Sequence, residues 1–453
     1  MSHLFVDHFK CPPELAAFRP SGSLRDAKRF FRFGPDLICY GRTISQGFKS
    51  QNGSMQDVSG SVKIEANTCH LPFDPDEVVE NLRCERYLRM IEVDGDNAKK
   101  LAVMRNAYYA VRPLLPVAVR KHLQRVALRG WEHKPFPAWP VDHTVDSLFE
   151  RLLALACQAN RVESIPFIWF WPDGFSAAAT MTHDVETARG RDSCVALMDL
   201  NDSFGVKSSF QFVPEERYNT PENLLRLIRE RGFEINIHDL NHDGHLFSDR
   251  EEFLRRAAKI NQYVREFGAA GYRSGVLYRN PDWYDAFEFS YDMSVPNVGH
   301  LDPQTGGCCT TKPFFIGKIL EIPVTAAQDY TLFHILQQYS TELWKRQTEL
   351  ISAKHGVVNF VVHPDYVMEP RARKIYAELL EYLSDLRRDA NLWIALPREV
   401  DAWWRARHRM KLVRRGDSWR IEGPESHRAR VAFARVENGQ LVYDLGVHSQ
   451  QLV

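Results

Sequence analysis

Long apolar runs are missing from this 453-residue chain. The best stretch, 165–171, stops at Pro172 and Asp173, well short of the roughly eighteen residues a bilayer-crossing helix needs, so none is expected. Neither charge is in surplus, with 58 Lys plus Arg against 58 Asp plus Glu, and the chain therefore lacks the broad positive field that gathers nucleic acid. Cysteine pairing signals are absent as well. Cys11, Cys39, Cys69, Cys84, Cys157, Cys194, Cys308 and Cys309 form no C-x-x-C, which excludes a compact disulfide framework and leaves reduced thiols as the reading. The neighbours Cys308-Cys309, after Thr305-Gly306-Gly307, read as a loop feature rather than a redox centre. No basic segment followed by an apolar core and a small-residue cleavage site opens the sequence, and a cytoplasmic location is the expectation.

What is present is an ordinary globular composition, 44% hydrophobic and 26% charged, over a length that suits two or three domains. Residues 1–165 mix β-like pieces (36–40 and 61–66) with helical ones (75–88 and 144–159) without regular alternation, and read as an α+β domain of unknown role. Within it, Arg112, Arg120, Lys121, Arg125 and Arg129 interleave with apolar residues at helical spacing. Such a helix either packs on its own domain with a basic outer face or makes peripheral contact with a membrane. Pro135, Pro137 and Pro140 then suggest an extended linker.

From Ser176 the pattern becomes a regular alternation of short apolar runs and helical segments, the signature of a parallel β/α architecture. Strands are expected at 177–181, 208–213, 233–237, near 271–273, at 291–295, 319–324, 357–362 and 392–396. Helices are expected between them, including a long one over 331–354. Beyond Arg409, four short alternating runs separated by Gly416, Gly423 and Gly439 read as a small β appendage. The expected domains are thus 1–165, 166–408 and 409–453.

Loops at the C-terminal ends of parallel strands form the reactive face of such architectures. Four of these ends carry polar residues: Thr182-His183-Asp184-Val185-Glu186, His238-Asp239-Leu240-Asn241-His242, Tyr272-Arg273-Ser274-Gly275 and His363-Pro364. Two imidazoles and a carboxylate suit a divalent metal such as zinc, with Asp239 and Asp243 close enough in sequence to orient the imidazoles. Amide hydrolysis also needs a base, an acid for the departing amine, and charge to balance an oxyanion. Asp184 and His363 with the metal can fill those roles, with Arg273 keeping Asp184 ionised. Taken singly, each feature has a plainer reading as a helix cap, an ion pair or a core histidine; their order along successive strand ends favours a site.

That order, an Asp-bearing strand end, H-x-x-x-H, an arginine, an Asp-bearing strand and a histidine after an apolar strand, resembles the polysaccharide deacetylase (NodB-homology) family over about residues 170–400. The resemblance implies a distorted (β/α) barrel and metal-dependent removal of N-acetyl groups from a carbohydrate. It implies Asp184 as base, Arg273 as its tether, His363 as acid and Asp292 as the support of His363. His238 and His242 match the metal ligands, for zinc or else cobalt or nickel. The family's third ligand position is Val185 here, so Glu186 takes the metal with Asp184 as base, or the two acids exchange roles. The motif-three proline is replaced by Ser274-Gly275. Trp283, Tyr278 and Tyr284 are candidates for stacking on sugar rings. Two other readings stand beside this one: hydrolysis of another carbon–nitrogen bond in a small amide or imide, and a non-catalytic carbohydrate-binding protein with a degenerate site.

Overall fold

Nine successive residues, Ala177–Val185, are all buried, the polar Thr180, Thr182, His183 and Asp184 among them, as expected of a central parallel strand covered on both faces. In the computed structural model, which describes residues 2–44, 55–88, 90 and 117–446, this strand anchors a nine-stranded sheet. Residues 108–116 of the basic stretch lie outside the described residues.

The sheet runs Phe314–Ile316, Ile319–Glu321, Tyr291–Asp292, Gly271–Arg273, Glu234–His238, Ser209–Phe212, Ala177–Val185 and Val357–Val362, with Leu392–Ile394 also paired to Ala177–Val185. All neighbours are parallel except the Phe314–Ile316 and Ile319–Glu321 hairpin. This is the α/β fold class expected from the alternation, in the form of a distorted barrel. Closure between the segment after Ile319–Glu321 and the strand Val357–Val362 is made largely by side chains. Thr325 Oγ1 donates to Val357 O at 2.7 Å and accepts from Asn359 N at 2.9 Å, and Asn359 Nδ2 donates to Ile322 O at 3.2 Å.

Helices Ala188–Ser203, Glu222–Glu230, Arg250–Glu266, Glu342–Ser352 and Pro370–Asp389 follow strands as expected. Thr187 and Asp249 cap two of them by accepting from Gly190 N and Glu252 N. The long helix expected over 331–354 is instead a π-turn, Thr331–Ile335, then a break with Gln337 at φ 58°, then Glu342–Ser352. No glycine or proline marks that break in the sequence, so periodicity alone bridges it.

The chain divides into two compact units, Met1–Arg83 with His143–Phe175 and Ala402–Val453, and Cys84–Asp142 with Ser176–Asp401. This differs from the three consecutive domains read from the sequence. Residues 409–453 do not stand alone: Val431–Glu437 pairs antiparallel with Ser164–Ile168 and with Gln440–Leu445 in one sheet. The described residues of 84–142 belong with the barrel. Glu85 forms a buried ion pair with Arg279, Tyr87 donates to Gly307 O at 2.7 Å, and Asp142 N donates to Asn297 Oδ1 at 2.8 Å. The proline-rich stretch is therefore part of the second unit rather than a connection between domains; Gln347 Nε2 donates to Pro140 O at 3.1 Å.

The first unit is built on aromatic packing of Phe5, Phe9, Phe149, Phe167 and Phe170. Beside them the buried Arg407 guanidinium donates to the carbonyls of Ile168, Trp169 and His8, and burial pushes its pKa down to about 9. All eight cysteines are free thiols, and Cys308 and Cys309 are buried. Among the described residues no helix is long and apolar enough to cross a membrane.

One buried acid in the sheet makes stability depend on pH. Burial pushes Glu234 up from 4.5 to about 7, only partly relieved by the hydroxyl of Tyr291, Arg398 N and Asn236. A carboxyl raised in the folded state contributes fully below the unfolded value, and that contribution is lost as pH rises through the interval up to the folded value. Between pH 5 and pH 8 the wild type should therefore lose about 3 kcal/mol more stability than Glu234→Gln. Thermal unfolding at both pH values checks this; parallel losses in the two proteins would remove Glu234 as the source.

Candidate active site

Alternate residues of a strand share a face. Thr182, Asp184 and, one residue beyond the strand, Glu186 accordingly point one way, and His183 and Val185 the other. Thr182 and Asp184 meet Arg273, whereas His183 meets Asn201 and Tyr376 on the flanking helices. Val185, at the family's third ligand position, is sealed in the apolar core. The D-x-E spacing thus delivers two carboxylates to one face without an adjacent pair.

Parallel register brings the other strand ends level with them. His183 lies opposite Val362, so His363 emerges beside Asp184, and Arg273 lies opposite His238. The chain then turns sharply, with Asp239 at φ 57° and His242 at φ 55°, to return His242 next to His238 with ring centroids 4.9 Å apart. Gly275 makes this return possible, because a Cβ there would sit 2.4 Å from Asp239 Oδ2 and 3.1 Å from His242 Cδ2. That close approach accounts for glycine in the turn after Arg273.

Three imidazoles surround one oxygen. Glu186 Oε1 lies 3.0 Å from His242 Nε2, 3.3 Å from His363 Nε2 and 3.6 Å from His238 Nε2. Burial opposes the charge of Glu186, but the imidazoles, His242 foremost, more than offset it and hold the carboxyl well below its usual range. His238 Nε2 and His242 Nε2 are buried and make no hydrogen bond.

Donor atoms of Glu186, His238 and His242 all lie within 4.8 Å of one another, and among the described residues this is the group suited to a metal ion. One carboxylate and two imidazoles are ligands that zinc and its neighbours accept. His238 is prepared for that role: its Nδ1 faces Arg273 O at 3.1 Å, which places the ring proton there and leaves the Nε2 lone pair toward Glu186. His242 Nδ1 faces the exposed Arg217 Nη2 at 3.3 Å. Since arginine only donates, Arg217 has to turn away for His242 to ligate through Nε2.

Asp184 and His363 flank this group with partners of their own. Arg273 Nη1 donates to Asp184 Oδ1 at 2.7 Å and to Thr182 Oγ1 at 2.8 Å, while its Nε donates to Met293 O at 2.9 Å. Burial works against the Asp184 charge; Arg273, with His238 and His363, overcomes it and holds the carboxyl below its ordinary value. Asp184 Oδ2 is 3.8 Å from His238 Nε2.

The expected partner of His363 is not the one observed. Asp329 receives both His363 Nδ1, at 2.6 Å, and His363 N, at 2.8 Å. Asp292 sits elsewhere, fully buried, accepting from Ser294 Oγ at 2.6 Å and forming a close acid pair with Glu321. Burial, with Asp292 next, pushes Glu321 well up, so Glu321 stays protonated beside Asp292. Asp292 therefore cannot orient His363; its neighbour Met293 instead helps hold Arg273.

Two further expectations differ from what is found. Asp239 uses Oδ1 on Leu240 N, and Asp243 is taken by Arg256 at 2.7 Å and 2.8 Å, so neither orients an imidazole. Tyr284 is buried among Phe247 and Phe287, and Tyr278 is buried too. Trp283 packs on Phe253 under Arg250, which leaves none of the three as an open stacking platform.

No family model matches the chain, and no curated protein does. Solved structures do. A Mycobacterium smegmatis protein assigned to the polysaccharide deacetylases is 20% identical over 52% of this chain and 93% of its own, with a TM-score of 0.44. An allantoinase is 12% identical over 52% of this chain and 92% of its own, TM-score 0.40. A family 4 acetyl xylan esterase from Clostridium thermocellum, solved with a cobalt ion, is 13% identical over 50% of this chain and 91% of its own, TM-score 0.33.

Proposed function

We propose that this protein is a metal-dependent hydrolase that removes N-acetyl groups from an N-acetylated sugar. The observation that carries the reading is the convergence of His238, His242 and His363, from two strand ends, on Glu186 Oε1, between the Asp184–Arg273 and His363–Asp329 pairs. In this reading Glu186, His238 and His242 hold a divalent ion, zinc or else cobalt or nickel. Bound there, the ion supplies positive charge that polarises the acyl carbonyl and makes water more acidic.

The remaining steps belong to the chain's own residues. Asp184, kept ionised by Arg273, takes a proton from the water that attacks the acyl carbon. As the carbon–nitrogen bond breaks, protonated His363 gives its Nε2 proton to the departing amine, and acetate and a free amine remain. Asp329 fixes the His363 ring through Nδ1. Burial disfavours the imidazolium, but Asp329 and then Glu186 outweigh it and hold His363 well above its ordinary 6.5, ready as an acid at neutral pH.

The test is to remove metal from the purified protein, restore zinc, cobalt or nickel in turn, and follow acetate release from N-acetylated oligosaccharides. Metal-restored release supports the reading. Turnover confined to small amides or imides would transfer it to another carbon–nitrogen bond, and saturable glycan binding without any acetate would replace it with a binding role.

Asp329→Asn gives a further expected result. It removes the foremost cause that keeps His363 protonated, so the alkaline limb of the kcat/KM profile should move toward lower pH, with kcat at its optimum down about a hundredfold. An unmoved limb would detach that ionisation from His363.

A further inference from the structure

A cavity of about 300 Å³ is lined by Arg125, Phe333, His334, Gln337, Tyr339 and Arg371, all in the second unit. No acid is among them. Arg125 comes from the basic helix Val117–Ala127, which rests on the Thr331–Ile335 turn through Tyr330 Oη donating to Gln124 Oε1 at 2.7 Å. Its Nε is buried without a hydrogen-bond partner. Among the described residues neither Arg125 nor Arg371 has an ion-pair partner.

Arg371 adds a second cation where the backbone already disfavours one. It stands in the first turn of the twenty-residue helix Pro370–Asp389, a turn that contains no acid, and the N-cap residue Glu369 is paired with Arg189. A positive side chain there adds to the positive end of the helix dipole, a cost that an incoming anion reverses. The guanidinium is laid over the Tyr339 ring, 4.0 Å from its centroid, and Tyr339 is stacked in turn on Phe333 at 4.9 Å. It is thus held in place before any ligand arrives.

The cavity adjoins the candidate active site. Tyr366 contacts His334 on one side and His363 on the other, with ring centroids 5.0 Å apart in both cases. We propose that this cavity binds a phosphate group carried by the substrate whose acyl group reaches His363 and Glu186, a proposal that rests on the hydrolase reading. Two guanidiniums and an imidazole match the charge and the several acceptor oxygens of phosphate; one carboxylate would leave a guanidinium unanswered. The substrate class is therefore a phosphorylated N-acetylated sugar, free or joined to a carrier through phosphate.

Calorimetric titration of inorganic phosphate into the full-length protein and into His238→Ala/His242→Ala, side by side, tests the site apart from any metal. Saturable binding is expected in both, and binding weaker by about tenfold or more in Arg125→Gln/Arg371→Gln. Arg371→Lys, which keeps the charge and loses the fork, should fall between, and it serves if the double glutamine variant does not fold. Non-saturating binding, or equal binding in the arginine variants, overturns the proposal. A second arm compares acetate release from an N-acetylhexosamine 1-phosphate and from the unphosphorylated sugar. A kcat/KM preference of about tenfold or more for the phosphorylated compound, lost in Arg125→Gln/Arg371→Gln, places the phosphate on the substrate. Equal kcat/KM overturns that placement and assigns the cavity to free phosphate. No acetate from either compound counts against the hydrolase reading and leaves the phosphate titration standing.

Discussion

Alanine at both His238 and His242 is expected to take bound metal from near one ion per chain to none and to lower acetate release by about a thousandfold or more. Glu186 alone is left of the three-ligand group, and one carboxylate does not retain zinc through dialysis. Elemental analysis after dialysis without chelator reads the first effect, and a coupled acetate assay the second. The same variant separates a metal centre from a structural histidine pair. Without metal both rings face the Glu186 carboxylate, so the double variant should lose some stability beside chelated wild type whichever role the pair has, and the metal content is what decides between the two. Full metal content or undiminished turnover in the double variant would end the metal-hydrolase reading.

The second large effect falls on stability. Arg273 is fully buried, and Arg273→Met leaves Asp184 charged and buried without its hydrogen-bonded cation, which costs about 3–5 kcal/mol. The sign follows from Asp184, whose carboxyl is held below its ordinary value of 3.8 in the folded chain. Such a group stabilises the fold above the unfolded carboxylate value and loses that contribution as pH falls through the folded value. The penalty of Arg273→Met should accordingly be largest at neutral pH and shrink under acid. Asp184→Asn added to Arg273→Met should recover most of the loss, because an amide has no charge to strand. Urea unfolding of the four proteins gives the coupling; strictly additive losses would mean that Arg273 acts through Met293 and Thr182 rather than through Asp184.

What could be read in the sequence was whatever depends on short spacing. Asp184 and Glu186 share a face because they are two residues apart in the extended chain at one strand end, and His238 and His242 are four apart across a single turn. Arg273 and His363 follow from their places at strand ends, and the whole second unit shows the alternation that a parallel sheet imposes. Asp329 escaped because its partner is 34 residues away, and it lies in a stretch whose apolar spacing reads as the approach to a long helix. The one available signal was its position in the loop after an apolar strand, shared with the other site residues. Asp292 was drawn in by its place in the order of motifs, and its actual neighbour, Glu321, belongs to a strand that sequence distance conceals. The joining of Val431–Glu437 to Ser164–Ile168 was equally hidden, since pairing between strands so far apart leaves no local periodicity.

That last pairing orders events in time. A chain emerges from the ribosome N-terminus first, yet Ser164–Ile168 must wait until Val431–Glu437 has been made before its sheet can form. Every strand of the barrel, Ala177–Val185 through Leu392–Ile394, has been synthesised by then. The strands of the second unit can thus pair while Ser164–Ile168 still waits for its partner, so an earlier-made strand of this sequence is completed by a later-made one.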